Sequence, residues 1–234
     1  MAEPFVSVSG LGFTWPGASA PTLEIERFDV FPGERVFLRG PSGSGKSTLL
    51  GLIAGVLEPQ TGFISVAGHP MDRLSAARRD RLRANQLGII FQLFNLVPYL
   101  TVTENVALPL RFSSARRARV SGRVEEETKR LLAALGLQYP QLLSRKVVDL
   151  SVGQQQRVAA ARALIGGPNL IIADEPTSAL DALARDRFIE LLSAEAAKTG
   201  AALLFVSHDP SLASHFEKAV DLADINSARA EEAA

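Results

Sequence analysis

A short segment rich in glycine and hydroxyl side chains ends in a lysine. Residues 40–47 read GPSGSGKS and follow a short apolar run, so they fit the P-loop pattern between a strand and a helix. Backbone N–H groups of such a loop close around phosphates, with the lysine on the β- and γ-phosphates and the last hydroxyl on Mg²⁺. The alternative is a glycine-rich turn that only caps a helix. The predicted nucleotide-binding residues are Gly40, Ser42, Gly43, Ser44, Gly45, Lys46, Ser47 and Thr48.

Two adjacent carboxylates follow a second apolar run. Residues 170–173 read LIIA and precede Asp174 and Glu175. A phosphate-binding loop needs an acidic partner at a strand end, because that carboxylate holds the hydrated Mg²⁺. Strand alternation predicts that the two side chains point to different sides, with Asp174 at the metal's water shell and Glu175 at the attacking water as general base. The alternative is a solvated turn with incidental acids.

A second helix N-terminus could also bind phosphate. Residues 150–157 read LSVGQQQR, and Ser151 and Gly153 open a helix predicted to run through Arg162. A single ATP seldom needs two phosphate-binding helix ends on the same face of one chain.

Residues 150–154, LSVGQ, resemble the signature motif of ABC ATPases, which otherwise reads LSGGQ. In that family the second helix end binds the ATP of the other subunit. The resemblance therefore implies shared active sites, to which Ser151, Gly153 and Gln154 contribute. Val152 departs from the motif; it either alters closure of the ATP-bound dimer or is neutral.

Further motifs of this family follow in the expected order. Gln92 resembles the Q-loop glutamine, which senses Mg²⁺ and water, and Asp181 in SALD resembles the D-loop. His208 in VSHD resembles the switch histidine, which contacts the γ-phosphate. Taken singly, Gln92 and His208 would be ordinary polar residues near a sheet end. The resemblance implies catalytic roles for Glu175, His208 and Gln92, and a Mg²⁺ site formed by Ser47, Gln92 and Asp174.

Trp15 precedes the phosphate loop where the family has an aromatic residue that stacks on adenine. A tryptophan supplies the flat π-face that stacking needs. The alternative is a strand-end aromatic packed in the core, in which case Phe13 is the fallback candidate.

The elements that must position these residues predict an α/β fold. Alternating segments at 5–8 and 23–26 predict antiparallel strands, whereas continuous apolar runs at 170–173 and 202–206 predict buried parallel strands. Helices are predicted at 47–57, 124–135 and 184–197. The predicted fold is a P-loop NTPase (RecA-like) core with an N-terminal antiparallel β subdomain and an inserted helical subdomain.

The predicted domain organisation is a single ABC ATPase domain over residues 1–227. Residues 1–91 and 165–227 form the core with the antiparallel subdomain, residues 92–164 the helical subdomain, and 228–234 a disordered tail. Two arginine clusters are predicted to be solvated helix faces, with contact to a membrane surface as the alternative. They are Arg78, Arg79, Arg81 and Arg83, and Arg116, Arg117, Arg119 and Arg123.

Composition limits the partners. The 25 basic and 25 acidic residues leave no net charge to recruit nucleic acid, and the absence of cysteine excludes disulfides and thiolate metal sites. No apolar stretch is long enough for a membrane helix, and no secretory signal is predicted.

Residues 91–110, FQLFNLVPYLTVTENVALPL, are similar to the lipoprotein-releasing and macrolide-export branch, which includes LolD-like, MacB-like and FtsE-like ATPases. The resemblance implies a membrane permease with few membrane helices as partner, a second copy of the chain or a related ATPase subunit, and ATP and Mg²⁺ as cofactors. It implies a location on the cytoplasmic face of the inner (plasma) membrane. The apolar residues crowded at 93–100 predict that a permease helix docks in a groove between the Gln92 loop and the helical subdomain, roughly residues 94–105. The alternatives are a soluble ABC ATPase of DNA repair or translation and an importer subunit.

Overall fold

The computed structural model describes residues 3–137 and 140–228 of the 234-residue chain. Apart from Ala228, the predicted tail at 228–234 lies outside the described residues. The strands are β1 (Val6–Phe13), β2 (Leu23–Val30), β3 (Arg35–Arg39), β4 (Thr61–Val66), β5 (His69–Pro70), β6 (Leu87–Ile90), β7 (Leu170–Asp174), β8 (Ala202–Ser207) and β9 (Lys218–Asp221).

The helices agree with most of the predicted helical segments. They are α1 (Lys46–Ile53), α2 (Ala76–Gln86), α3 (Val102–Ala107), α4 (Pro109–Phe112), α5 (Ser114–Arg119), α6 (Val124–Ala134), α7 (Val152–Leu164), α8 (Ala182–Thr199) and α9 (Leu222–Ile225). Short 3₁₀ turns occupy Met71–Arg73, Pro140–Leu142, Val147–Asp149 and Pro210–His215. The prediction for 47–57 was too long, because α1 ends at Ile53 and a left-handed Gly55 follows.

Two sheets organise the described part of the chain. One is antiparallel in the order β2-β1-β4-β5, and the other is parallel in the order β6-β7-β8-β3-β9. Helices α3 to α7 lie between β6 and β7 in the chain. This arrangement confirms the predicted α/β class, with an antiparallel β subdomain and an inserted helical subdomain. The boundaries at residues 92 and 165 stay predictions.

The parallel sheet separates two hydrophobic cores. Alternate side chains of a strand point to opposite faces, so Phe37 and Phe205 belong to the core formed with helices α3, α4, α6, α7 and α8. Val36 and Leu204 pack on the other face with α1 and the antiparallel sheet. Strands β7 and β8 are buried almost throughout, as their continuous apolar runs predicted. The carboxyl ends of β3 and β7 therefore emerge at one edge of a rigid sheet.

Helix α7 lies directly against the edge strand β6. A Cβ atom at Gly88 would fall 2.2 Å from the carbonyl oxygen of Ala163, so only glycine allows this approach. The loop that carries Gln92 leaves this strand, and α7 begins at the signature segment. The Gln92 loop and the signature segment therefore belong to two elements, β6 and α7, that pack directly against each other.

The prediction that both arginine clusters are solvated is wrong for two side chains. Arg116 is 2% exposed, and its guanidinium donates to the carbonyl oxygens of Leu87, Ala163 and Ile165. Arg79 is also buried and is paired with Glu58. A guanidinium has five N–H donors, which can satisfy the carbonyls that a helix end leaves free. Charge patterning alone gives no sign of such internal acceptors.

Candidate active site

The phosphate loop joins the end of β3 to the start of α1. Gly45 precedes the helix with φ +99°, a left-handed conformation that strains any residue with a side chain. A Cβ there would also lie 2.7 Å from Leu23 Cδ2. Local sequence therefore fixes the loop, and α1 presents its free N–H groups at the sheet edge.

Lys46 is held across this loop. Its Nζ donates to the carbonyl oxygens of Gly40 and Pro41, both at 2.7 Å, and lies 3.9 Å from Glu175 Oε1. The side chain is almost fully buried. The ammonium group is thus fixed next to the loop and the carboxylates, where a bound phosphate chain would lie.

A cleft of about 490 Å³ collects most of the predicted residues. Those lining it are Trp15, Ser42, Gly43, Gly45, Lys46, Ser47, Thr48, Gln92, Asp174 and Glu175. Thr22 also lines the cleft, and nothing in its sequence context indicated this. The predicted Ser44 side chain does not line it: its hydroxyl is buried without a hydrogen-bond partner, and only its backbone belongs to the loop.

Trp15 faces the cleft rather than the core. It is 46% exposed, its indole N–H donates to Thr48 Oγ1 at 3.3 Å, and Phe13 meets its ring edge-to-face. Phe13 is buried and takes the core position. The alternative that Trp15 is a packed core aromatic is therefore wrong, and its exposed ring is free to stack on a base.

The two carboxylates have different partners within the same cleft. Asp174 Oδ2 accepts a hydrogen bond from Ser47 Oγ at 3.1 Å, and Glu175 Oε2 lies 3.2 Å from His208 Nδ1. The prediction that strand alternation separates them is wrong. Strand β7 ends at Asp174, and Glu175 adopts a left-handed φ of +44° that turns its side chain back into the cleft. Such strain in a residue other than glycine is concentrated at functional sites.

The oxygen atoms of Ser47 and Asp174 fit a Mg²⁺ site. A hydroxyl and a carboxylate 3.1 Å apart are the ligand types that this ion takes from proteins. No group of three His, Cys, Asp or Glu side chains among the described residues could hold a metal. The remaining ligands would therefore be nucleotide oxygens and water, with Gln92 at the same cleft. Bound there, the ion would neutralise charge on the β- and γ-phosphates.

Burial is the main reason that the pKa of Asp174 lies above its usual value. The Ser47 hydrogen bond opposes this shift, Glu175 adds to it, and Lys46 opposes it. The folded state therefore favours the protonated carboxyl, so the ionised form at neutral pH lowers the stability of the nucleotide-free protein.

Asp174→Asn should therefore raise the midpoint of thermal unfolding at pH 7 without nucleotide, because the neutral amide avoids the desolvation cost. The gain should be complete above the folded-state pKa of Asp174, shrink as the pH falls through it, and vanish below the unfolded-state pKa. Calorimetry at several pH values measures this difference, and an ATPase assay should show that the same variant has lost Mg²⁺-dependent turnover. A variant less stable than the wild type at pH 7 would contradict the argument.

The signature segment and Asp181 lie at helix starts outside this cleft. Ser151 Oγ accepts from the backbone N–H of Gln154, and Gln154 Oε1 accepts from the backbone N–H of Ser151, which forms a capping box. Asp181 caps α8 in a similar way by accepting from the Ala184 N–H. None of the three residues, nor Gly153, lines the cleft of its own chain. Val152 is exposed at the first position of α7.

Arg162 connects the signature helix to the loop after Gln92. Its guanidinium donates to the carbonyl oxygens of Phe94 and Asn95, whose φ values are +59° and +47°. The sequence pattern predicted only that the helix runs through Arg162. An arginine in the alanine-rich run VAAARAL is the signal that could have indicated an internal role.

The fold and this cleft define the chain as a P-loop nucleotide hydrolase. The sequence profile of the family described as "ABC transporter" matches residues 23–178, and the chain belongs to this family. It is an ABC-type ATPase. Two uncharacterised ABC transporter ATP-binding proteins from two strains of Mycobacterium tuberculosis are each 39% identical over 225 residues, covering 94% of this chain and 87% of the relative.

Solved structures agree with this assignment. The dimeric, post-hydrolysis ATP-binding cassette MJ0796, bound to ADP and phosphate, is 32% identical with a TM-score of 0.82, covering 92% of this chain and 93% of that one. A second dimeric structure of MJ0796, described as a bacterial ABC transporter cassette, is 34% identical with a TM-score of 0.80 and the same coverage. CbiO1 from Clostridium perfringens shares the fold at 24% identity, with a TM-score of 0.78, covering 94% of this chain and 84% of that one.

Proposed function

We propose that this chain dimerises around two ATP molecules and drives a membrane permease by cycles of binding and hydrolysis. The observation that carries the proposal is the separation of the two phosphate-binding helix starts. Lys46 and Ser47 line the nucleotide cleft, whereas Ser151 and Gly153 do not. A second subunit would bring its own α7 to this cleft, and the dimeric MJ0796 structures support such an assembly.

Hydrolysis would use the residues gathered at the carboxyl ends of the strands. Glu175 polarises the attacking water, since its carboxylate is held between His208 and Lys46. His208 and Gln92 contact the γ-phosphate and its water, and Ser47 and Asp174 hold Mg²⁺. Trp15 stacks on adenine. The nucleotide of the partner subunit is contacted by Ser151, Gly153, Gln154 and Asp181. Val152, in the same segment, affects closure of the ATP-bound dimer.

The permease would dock in a second cleft of about 600 Å³ beside β6. Phe91 and Phe112 line it, and Phe112 is 72% exposed. The predicted apolar stretch after Gln92 is divided: Leu93 and Tyr99 are exposed, whereas Phe94 and Leu96 pack on the helical core. Phe94 therefore packs in part on its own subdomain, and its role in docking stays a prediction. Closure of the dimer would move this cleft with the Gln92 loop.

The proposed partner belongs to the lipoprotein-releasing, macrolide-export or mechanotransmission branch, as the similarity of residues 91–110 suggests. No helix in the described ranges is both long and apolar enough to cross a bilayer. The proposal places the chain in the cytoplasm, against the inner face of the plasma membrane, and holds it there through the permease.

Phe112→Glu is expected to abolish co-purification with the membrane permease, to be sought first in the adjacent open reading frame, and to remove the permease's stimulation of ATP turnover. The physical reason is that docking would bury a charge against an apolar surface. ATP binding by the isolated subunit should stay unchanged, since Phe112 is remote from the nucleotide cleft.

Val56→Glu is the matched control, because Val56 is an exposed apolar residue outside the docking cleft. Tyr99→Glu tests the neighbouring exposed loop. Docking lies elsewhere if co-purification and stimulated turnover both survive Phe112→Glu and Tyr99→Glu.

A further inference from the structure

The docking cleft beside β6 has more positively than negatively charged side chains in its lining. Four arginines and one aspartate line it, and the Asp80 carboxylate is already paired with Arg83 on the same helix. No carboxylate among the described residues lies within ion-pair distance of Arg81, Arg116 or Arg162. These three guanidinium groups therefore leave an unneutralised positive charge around an apolar floor.

Two of these arginines are fixed and cannot turn away to find a counter-charge. Arg116 is anchored on the carbonyls of Leu87, Ala163 and Ile165, and Arg162 on those of Phe94 and Asn95. Hydrogen bonds to carbonyls satisfy the N–H groups without cancelling the charge. Burial, with a smaller contribution from the nearby Arg119, lowers the pKa of Arg116 to about 10, and burial also lowers the pKa of Arg162. A guanidinium in a protein is protonated at neutral pH, so both arginines carry their charge.

The third arginine is free to meet a partner. Arg81 is exposed on α2 and lines the cleft together with the apolar side chains of Leu87, Ile89 and Phe112. A cleft lined by aromatic and cationic side chains favours a ligand that has an apolar surface and a negative charge next to it. A docking helix that covers the cleft would also exclude water and so strengthen attraction between opposite charges.

We infer that the segment docking in this cleft is an amphipathic helix of the membrane partner that carries a carboxylate next to its apolar anchor residues. Arg81 forms an ion pair with that carboxylate. The positive charges of Arg116 and Arg162, which line the same cleft, add to the attraction. The inference rests on the proposed docking of a permease and specifies the chemistry of the segment that docks. Arg81 is thereby a residue that selects the partner rather than one that acts on ATP.

The test uses the full chain and its membrane permease, to be sought first in the adjacent open reading frame and reconstituted in phosphatidylcholine nanodiscs. It measures ATPase stimulation against nanodisc concentration. Arg81→Glu should raise the concentration for half-maximal stimulation by about tenfold or more, and Arg81→Gln by less, because reversal adds repulsion to the lost attraction. Arg78→Glu is the matched control: Arg78 is exposed on the same helix but does not line the cleft.

Replacing each acidic residue of the permease's cytoplasmic helices with lysine should, at one position, restore stimulation of Arg81→Glu. If no position rescues it, or if Arg81→Glu behaves like Arg78→Glu while the wild type is stimulated, the inference is overturned and the proposed function stands. If the wild type is not stimulated at all, the proposed function fails.

Phosphatidylglycerol vesicles without permease form the last arm. The fraction of protein that sediments with these vesicles should be the same for Arg81→Glu as for Arg78→Glu. Binding that Arg81→Glu abolishes and Arg78→Glu preserves would identify an anionic lipid headgroup as the occupant and overturn the assignment to a helix.

Discussion

Glu175→Gln is expected to lower ATP turnover by about a hundredfold or more, because the amide cannot accept the proton of the attacking water. The glutamine side chain preserves the shape of the carboxylate and can still bond to His208. Nucleotide binding should therefore persist, and a dimer with trapped ATP should accumulate. Steady-state turnover and size-exclusion chromatography with ATP measure the two effects.

The control for this variant is Glu190→Gln, which removes an exposed carboxylate on α8 away from the nucleotide cleft. Its turnover should match the wild type. Turnover of Glu175→Gln within about threefold of the wild type would remove Glu175 from the role of general base.

Ser151→Arg is expected to abolish hydrolysis while the monomer binds ATP almost normally. The side chain would place bulk at the N-terminus of α7, where the γ-phosphate held by the other subunit docks in the proposed dimer. The nucleotide cleft of the mutated chain is unaffected, because Ser151 does not line it. Fluorescent-nucleotide binding and an ATPase assay separate the two properties.

Mixing experiments then test whether sites are shared. Lys46→Ala removes the cation of the phosphate loop and should be inactive alone because it binds nucleotide poorly. A heterodimer of Ser151→Arg with Lys46→Ala retains one composite site with both parts intact, so an equimolar mixture should regain up to about a quarter of wild-type activity. The absence of any recovery across all mixing ratios would argue against shared sites.

The local chemistry of the site could be predicted because short-range patterns encode it. Glycines, a lysine and a hydroxyl in eight consecutive residues dictate a loop before a helix, and an apolar run ending in acids dictates a buried strand with carboxylates at its end. The sequence also predicted both kinds of strand, since periodicity distinguishes the alternating, antiparallel β1 and β2 from the continuous, parallel β7 and β8.

Sequence patterns did not predict the backbone conformation of single residues. The left-handed turn at Glu175 contradicts simple strand alternation, and no glycine or asparagine marks it. Trp15 and Phe13 are both aromatic and two positions apart, so pattern alone left their roles open. Packing determines which of the two aromatic rings is available to a nucleotide. Phe13 is buried in the core, whereas Trp15 is exposed and bonds to Thr48.

The sequence by itself determined that this chain binds and hydrolyses ATP with the parts of an ABC ATPase, because each motif is a contiguous segment with its own local geometry. Only the tertiary structure decided which arginines are buried and which apolar side chains are exposed. Arg116 bonds to Ile165, 49 positions away, and Arg162 to Asn95, 67 positions away. Burial of a charge depends on acceptors brought together from distant segments, and no short-range pattern records where those acceptors meet.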